Sequence, residues 1–206
     1  MKIIKNAVIC LVFISLPLVG KSQGEMSLEK GDILINPAIT LGEYSYSYIG
    51  DRQGFIPPVS LNFEYALSSY LSWGLEGEYT LRKYRDINYI STSNDYRYER
   101  ISVGVRGSFH YLDLLKNLLG DKLGGLNSDK FDFYLTAVGG YSVFKGLTTW
   151  NDGVTVGTHE LKTFDSGTFF GGAFGFRYYF KPAFGAFFEG GQNSFGYGKI
   201  GLTFKF

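Results

Sequence analysis

With one cysteine in 206 residues, the chain has little thiol chemistry to offer. Cys10 lies inside an apolar N-terminal run, preceded by Ile9 rather than by a small residue, so it reads as filler in a discarded leader and not as a lipid-attachment site. Without it no thiol remains, which excludes disulfide stapling and thiolate catalysis. Charge of one sign is lacking too. Taking away Lys2, Lys5 and Lys21 turns 20 basic residues into 17 against 19 acidic ones, a net charge near −2, so there is no basic footprint for nucleic acid. The apolar stretch from Ala7 to Val19 is too short and too closely flanked to span a bilayer as a helix.

What the chain has instead is glycine (28), tyrosine (16) and phenylalanine (19), a composition of curved β-sheet rather than of helical soluble domains. Lys2 and Lys5 before the apolar run, and Gly20, Lys21 and Ser22 after it, have the layout of an export signal cut after Ser22. The expected organisation is a signal peptide over residues 1–22, a short segment over 23–30 and a single β domain over 31–206.

A two-residue rhythm runs through that domain. From Leu71 to Arg82 every odd position is apolar or small (Leu71, Trp73, Leu75, Gly77, Tyr79, Leu81) and the even ones are Ser72, Gly74, Glu76, Glu78, Thr80 and Arg82. The rhythm returns about eight times, predicting strands over 32–43, 58–67, 71–84, 98–111, 131–144, 168–180, 183–192 and 196–206. Connections alternate between tight (68–70, 181–182) and long (44–55, 85–97, 145–166, with a short one near Asn193). Within the third long one, Asn151-Asp152-Gly153 is a turn signal and predicts a projecting hairpin. The connection from Leu112 to Lys130 breaks the pattern. Its leucines, at 112, 114, 115, 118 and 119, are spaced for one face of a short helix that caps the barrel mouth.

Alternation alone leaves open whether the apolar face points in, as in a lipocalin-like carrier, or out into lipid. The polar face carries Asp32, Glu64, Glu76, Glu78, Asp132 and Glu189 against Arg82, Arg100, Arg106, Arg177, Lys199 and Lys205, a balanced set that suits mutual pairing in a narrow interior. Gly42, Gly74, Gly104, Gly140, Gly171, Gly175, Gly185 and Gly201 share that face and are expected to leave room for long charged side chains. Tyrosine and tryptophan near strand ends (Tyr44, Tyr65, Trp73, Tyr84, Tyr98, Tyr111) suit headgroup level. The expectation is therefore an eight-stranded antiparallel up-and-down transmembrane β-barrel, all-β apart from that helix.

With its export signal, eight alternating strands and a carboxyl-terminal Gly201-Leu202-Thr203-Phe204-Lys205-Phe206, the chain resembles the small outer-membrane β-barrel domains of the OmpA, OmpX and OmpW type over essentially its whole processed length. The resemblance implies a location in the outer membrane among its lipids. It also implies that Phe204 and Phe206 form the signal read by the barrel assembly machinery. No cell-wall-binding domain follows Phe206, so tethering to peptidoglycan is not implied.

Pairing across a turn near Ser194 places Glu189 opposite Lys199 with Arg177 at diagonal reach, while Glu76 and Glu78 are expected to join Arg106; Glu64 and Arg82 complete the interior charge set. These charges read either as a plug or as a polar path for ions. Ser108 and His110 share a face without a third member, and His159 with Glu160 are loop neighbours pointing apart, so neither makes a catalytic triad. Loop acids (Asp51, Asp86, Asp95, Asp152, Asp165) lack the spacing of a calcium loop, and no metal or cofactor is implied. Gly77, Gly107, Gly139, Gly172 and Gly190 on the lipid side either permit curvature or leave a groove for a lipid or another barrel. The function read from the chain is a non-enzymatic barrel with a filled interior, structural or interacting through its outer loops, with Trp150 as a candidate contact. Three alternatives stay open: a narrow porin-like channel, an accessory subunit beside other outer-membrane proteins, and a lipid-modifying enzyme.

Overall fold

Period-two patterning has no stable home except a sheet, and the computed structural model describes residues 28–42, 51–87, 93–112, 130–151, 156–161, 166–193 and 195–206, almost all of them in strands. These are β1 (Ile33–Leu41), β2 (Asp51–Ala66), β3 (Leu71–Ile87), β4 (Ser93–His110), β5 (Phe131–Asn151), β6 (Val156–Leu161), β7 (Gly167–Lys181), β8 (Phe184–Gln192) and β9 (Gly198–Lys205). Every neighbouring pair is antiparallel, and the order β1-β2-β3-β4-β5-β7-β8-β9 returns to β1. Eight strands thus close a barrel, as expected. Closure is completed by reciprocal bonds between the first and last strands, Phe206 N to Ile33 O at 2.9 Å and Ile33 N to Phe206 O at 3.0 Å.

β6 is a ninth piece outside the cylinder. It pairs with β5 from Gly146↔Leu161 to Asn151↔Val156, along the edge that β7 occupies lower down, where β5 and β7 pair from Phe131↔Tyr178 to Ser142↔Gly167. The hairpin signalled by Asn151-Asp152-Gly153 is present; residues 152–155 of its turn lie outside the described part.

Two long connections expected from the sequence contain strand. Residues 85–87 and 93–97 continue the β3–β4 ladder through Arg85↔Asp95 and Ile87↔Ser93, and Arg85 reaches across to Asp95 with Nε to Oδ1 at 2.7 Å and Nη2 to Oδ2 at 3.1 Å. Outside an apolar environment the hydrophobic alternation lapses while backbone pairing goes on. β2 likewise starts at Asp51, seven residues before the expected Pro58. The ladder slips between Ile56 and Val59, where Pro57 and Pro58 supply no N–H, and the Thr80 hydroxyl donates to Ile56 O at 3.1 Å.

Turns of a few residues, Leu67–Tyr70 and Pro182–Ala183, sit at the end that holds Leu28 and Phe206. There Leu28, Leu34 and Ala66 form a buried apolar floor, and Leu112 is buried as well. The expected helix beyond Leu112 falls on residues 113–129, outside the described part, as do the export signal with Cys10 and most of the 23–30 segment.

Candidate functional site

Inward positions of the strands converge on one ionic core. Arg106 on β4 is its hub. Its Nη2 donates to Glu189 Oε1 on β8 at 2.6 Å, its Nη1 to Glu76 Oε2 on β3 at 3.0 Å, and its Nε lies 3.6 Å from Glu64 Oε1 on β2. Lys199 on β9 reaches Glu76 at 2.5 Å and Glu78 at 2.8 Å. Arg177 on β7 donates to Asp132 on β5 at 2.8 Å and stands 3.6 Å from Glu64 across the lumen. Tyr134 donates its hydroxyl to Glu189 at 2.8 Å and carries the Arg177 guanidinium over its ring at 4.8 Å. Glu64 accepts further bonds from Asn36 (2.8 Å), Ser72 (2.9 Å) and Ser108 (3.0 Å). A charge withdrawn from water is tolerable only when paired and hydrogen-bonded in this way.

The residues singled out from sequence are placed as expected but only partly partnered so. Glu189 and Lys199 lie opposite one another in register, with Arg177 diagonal to Glu189, and Arg106 does reach Glu76 on the neighbouring strand. Arg177 pairs with Asp132, directly opposite it on β5. The other ion pairs skip neighbours: Glu189 goes to Arg106, Lys199 to Glu76 and Glu78, and Arg177 also faces Glu64. Long side chains inside a narrow cylinder reach strands three or four places round the wall, which adjacent-strand reasoning does not anticipate. Arg82 stands higher, half-buried, with Nη1 3.4 Å from the Tyr84 hydroxyl.

A second correction concerns the inward glycines. At four of them the space is taken by aromatic rings rather than by charged chains: a Cβ at Gly175 would meet Tyr134 at 2.2 Å, one at Gly104 or Gly140 would meet Phe169, and one at Gly201 would meet Phe187 at 2.7 Å; at Gly74 and Gly171 it would meet the neighbouring strand's backbone. Phe195, in the β8–β9 turn, is also buried, under the Arg100 guanidinium at 4.9 Å from its ring centre. Inward parity on β5, β7 and β8 was the signal for Tyr134, Phe169 and Phe187.

At the end with Leu28 and Phe206, the structure supplies the third member that Ser108 and His110 lacked, and with a different serine. Ser72 Oγ lies 3.0 Å from His110 Nε2, and His110 Nδ1 lies 2.9 Å from Asp132 Oδ1, the order of an acyl-transfer triad. Ser72 faces Ser108 directly in the β3–β4 register. Two features separate the arrangement from a nucleophile. The single hydroxyl proton of Ser72 is contested by Glu64 Oε2 at 2.9 Å, and Ser72 and His110 are 3% and 4% exposed, leaving no approach for a carbonyl carbon. It is part of the hydrogen-bonded interior wall.

The outer surface is the inverse. Leu71, Trp73 and Leu75 on β3, Val103 and Val105 on β4, and Leu135 and Tyr141 on β5 are about half exposed or more, while Glu64 and Arg177 inside are fully buried. On β3 the outward apolar row runs from Leu71 to Leu81, and eleven residues tilted as barrel strands are give about 25 Å of height, the apolar thickness such a wall needs. Ions within and grease without settle the orientation.

This is a transmembrane β-barrel. Its short turns gather at one end with Leu28 and Phe206, and the long ends of β3, β4 and β5 with β6 stand at the other. No protein-family model matches the chain, and no curated protein matches it. Solved structures similar to it include the attachment invasion locus protein Ail of Yersinia pestis (13% identity, TM-score 0.37, covering 86% of this chain and 99% of that one). Two more are from Pseudomonas aeruginosa: the N-terminal barrel domain of OprF (14%, 0.38, 87% and 100%) and the outer membrane protein OprG (12%, 0.45, 89% and 99%).

On the lipid side of the barrel, Gly139 is covered by the Phe170 ring, whereas Gly77 has open space around it. Phe204 packs on Phe184 with ring centres 5.3 Å apart. Trp150 lies on β5 opposite Asn94 and Gly157, in the extension beyond the apolar band. Asp95 belongs to the same extension, and the hydrogen bond from Arg85 holds its carboxyl below the usual aspartate range against a small opposing effect of burial.

Proposed function

We propose that this barrel neither conducts nor catalyses, and that its work is done by the strands standing outside the membrane, as a structural or surface-interaction protein. The observation that carries the reading is the lopsided wall. β3, β4 and β5 run on past the apolar band and are joined by β6, while β1 stops at Leu41, β8 at Gln192, and β9 starts only at Gly198. A chain that needed only to span the bilayer would not build this extension. Trp150, within it, is the candidate contact residue for a partner, other outer-membrane proteins included.

The interior supports the non-conducting half of the reading, since Arg106, Arg177, Lys199, Tyr134 and Phe195 are each at most 1% exposed, and the cations and Tyr134 bond to carboxylates on other strands across the lumen. Eight strands enclose just enough room for their own side chains. The terminal Phe204 and Phe206 are assigned to recognition by the barrel assembly machinery on the way to the membrane.

The test has two arms. Planar-bilayer recordings of purified protein should give no large steady conductance; finding one installs the channel reading instead. Replacing residues 147–160 by a tight turn should leave a barrel that still migrates anomalously on unheated gels, while cells displaying it lose attachment to one another or to coated surfaces. Equal attachment with and without the hairpin sinks the surface role.

A further inference from the structure

The outward faces of β3, β4 and β5 change chemistry at one level. Tyr79, Ile101 and Val143 stand side by side in register at the upper edge of the apolar band. In the next outward row Lys145 lies directly opposite Glu99, beside Leu81, and one row further out Lys83 lies directly opposite Arg97. Like charges facing each other across an antiparallel pair are destabilising, so such a pair calls for an anion. Among the described side chains one carboxylate faces the three cations, and Glu160 stands at the register position next to Leu147 in the row of Lys83 and Arg97. Glu99 sits 3.6 Å from Arg97 Nη2, beyond hydrogen-bond length, and is already held by the Tyr79 hydroxyl at 2.9 Å. Arg85, the next cation outward, has Asp95 to itself. Lys83 and Lys145 are exposed, and the Arg97 side chain is 49% exposed. On the other side of the barrel the outward positions near this end are the neutral Thr168 and Gln192, so the cations are confined to one sector.

We propose that Lys83, Arg97 and Lys145 form a binding site for the phosphate of an outer-leaflet lipid headgroup. Charge complementarity and depth argue together. Lys145 is two residues from Val143, Lys83 two from the outward Leu81, and Arg97 four from Ile101, so a phosphate here belongs to a lipid whose tails rest on Leu81, Ile101 and Val143. Cationic side chains at a membrane surface contribute favourably toward anionic headgroups, and two of them account for about a thirtyfold change in affinity.

The experiment uses the full processed protein in phosphatidylcholine nanodiscs, titrated with bisphosphorylated lipid A and, separately, with the same lipid stripped of phosphate; retained lipid is read by native mass spectrometry. The wild type should hold the phosphorylated form preferentially. A Lys83→Gln, Arg97→Gln double variant should lose about thirtyfold in apparent affinity, and Lys181→Gln, an exposed cation at the opposite end, should lose nothing. Anomalous gel migration confirms that each variant is folded, and if the double variant is not, Lys145→Gln is read instead, with about a fivefold loss expected. Equal retention of both lipids by the wild type, or undiminished retention by the folded variant, overturns the site. Displacement of bound lipid A by excess inorganic phosphate overturns the assignment to a lipid, since it would mark a site for a soluble anion.

Discussion

Removing the hub of the ionic core should cost far more than removing one of its partners. Arg106 makes two charge-assisted bonds of normal length, to Glu189 at 2.6 Å and Glu76 at 3.0 Å, and stands 3.6 Å from Glu64. Hydrogen bonds to charged groups contribute about 1.5–3 kcal/mol each. Two of them bracket the loss in Arg106→Met at about 3–6 kcal/mol, overlapping the range of about 3–5 kcal/mol for breaking a buried ion pair. The substitution also worsens an imbalance. Among the described residues of this core, the five buried carboxylates Glu64, Glu76, Glu78, Asp132 and Glu189 lie with the three fully buried cations Arg106, Arg177 and Lys199. Glu189→Gln moves the other way: it keeps the volume, still accepts from Arg106 and Tyr134, and lowers the excess of carboxylates, so its cost should stay near 1 kcal/mol. Urea unfolding in detergent, followed by the fluorescence of lipid-facing Trp73, measures both. A destabilisation of Arg106→Met below about 1 kcal/mol, or a Glu189→Gln at least as damaging, would refute the hub.

Two further outcomes are expected. Gly175→Ala drives a methyl group to within 2.2 Å of the Tyr134 ring and should destabilise by about 1–3 kcal/mol in the same assay, whereas Gly77→Ala, with nothing within 4 Å, should not destabilise; equal effects would mean that the interior is not packed against Tyr134. In the strand extension beyond the apolar band the lowered Asp95 carboxyl makes the pair with Arg85 stabilising above the unfolded aspartate value and lost as pH falls through the folded one. An NMR titration should therefore place the Asp95 midpoint below its ordinary value and return it there in Arg85→Gln, and a midpoint unmoved by that substitution would show that the pair does not form in solution.

Strand existence, strand parity and the inward placement of Glu64, Glu76, Glu78, Arg106, Arg177, Glu189 and Lys199 were legible because period two is written directly into residue order. Who bonds to whom was not. Cross-lumen pairs such as Arg106 with Glu189 depend on the barrel's diameter and stagger, which no local window contains. Nor was the reach of β3 and β4 beyond Tyr84 and Tyr98 legible, since outside the membrane both faces of a strand meet water and the polarity pattern that marks a strand fades while its ladder continues. The slip at Pro57-Pro58 hid the start of β2 for a local reason: two residues without N–H look like an end when they are a bulge. The Ser72, His110 and Asp132 constellation was missed because the register placing Ser72 beside Ser108 is a property of the β3–β4 hairpin and not of either strand alone.

The bonds from Lys199 to Glu76 and Glu78 tie the last strand to the third. They exist only once the chain has come full circle. A half-inserted sheet would hold those charges naked against hydrocarbon, a state several kcal/mol uphill for each group. Incomplete rings are thereby penalised by the same residues that fill the finished one, and insertion is pushed toward a single concerted event in which the final strand acts as a latch.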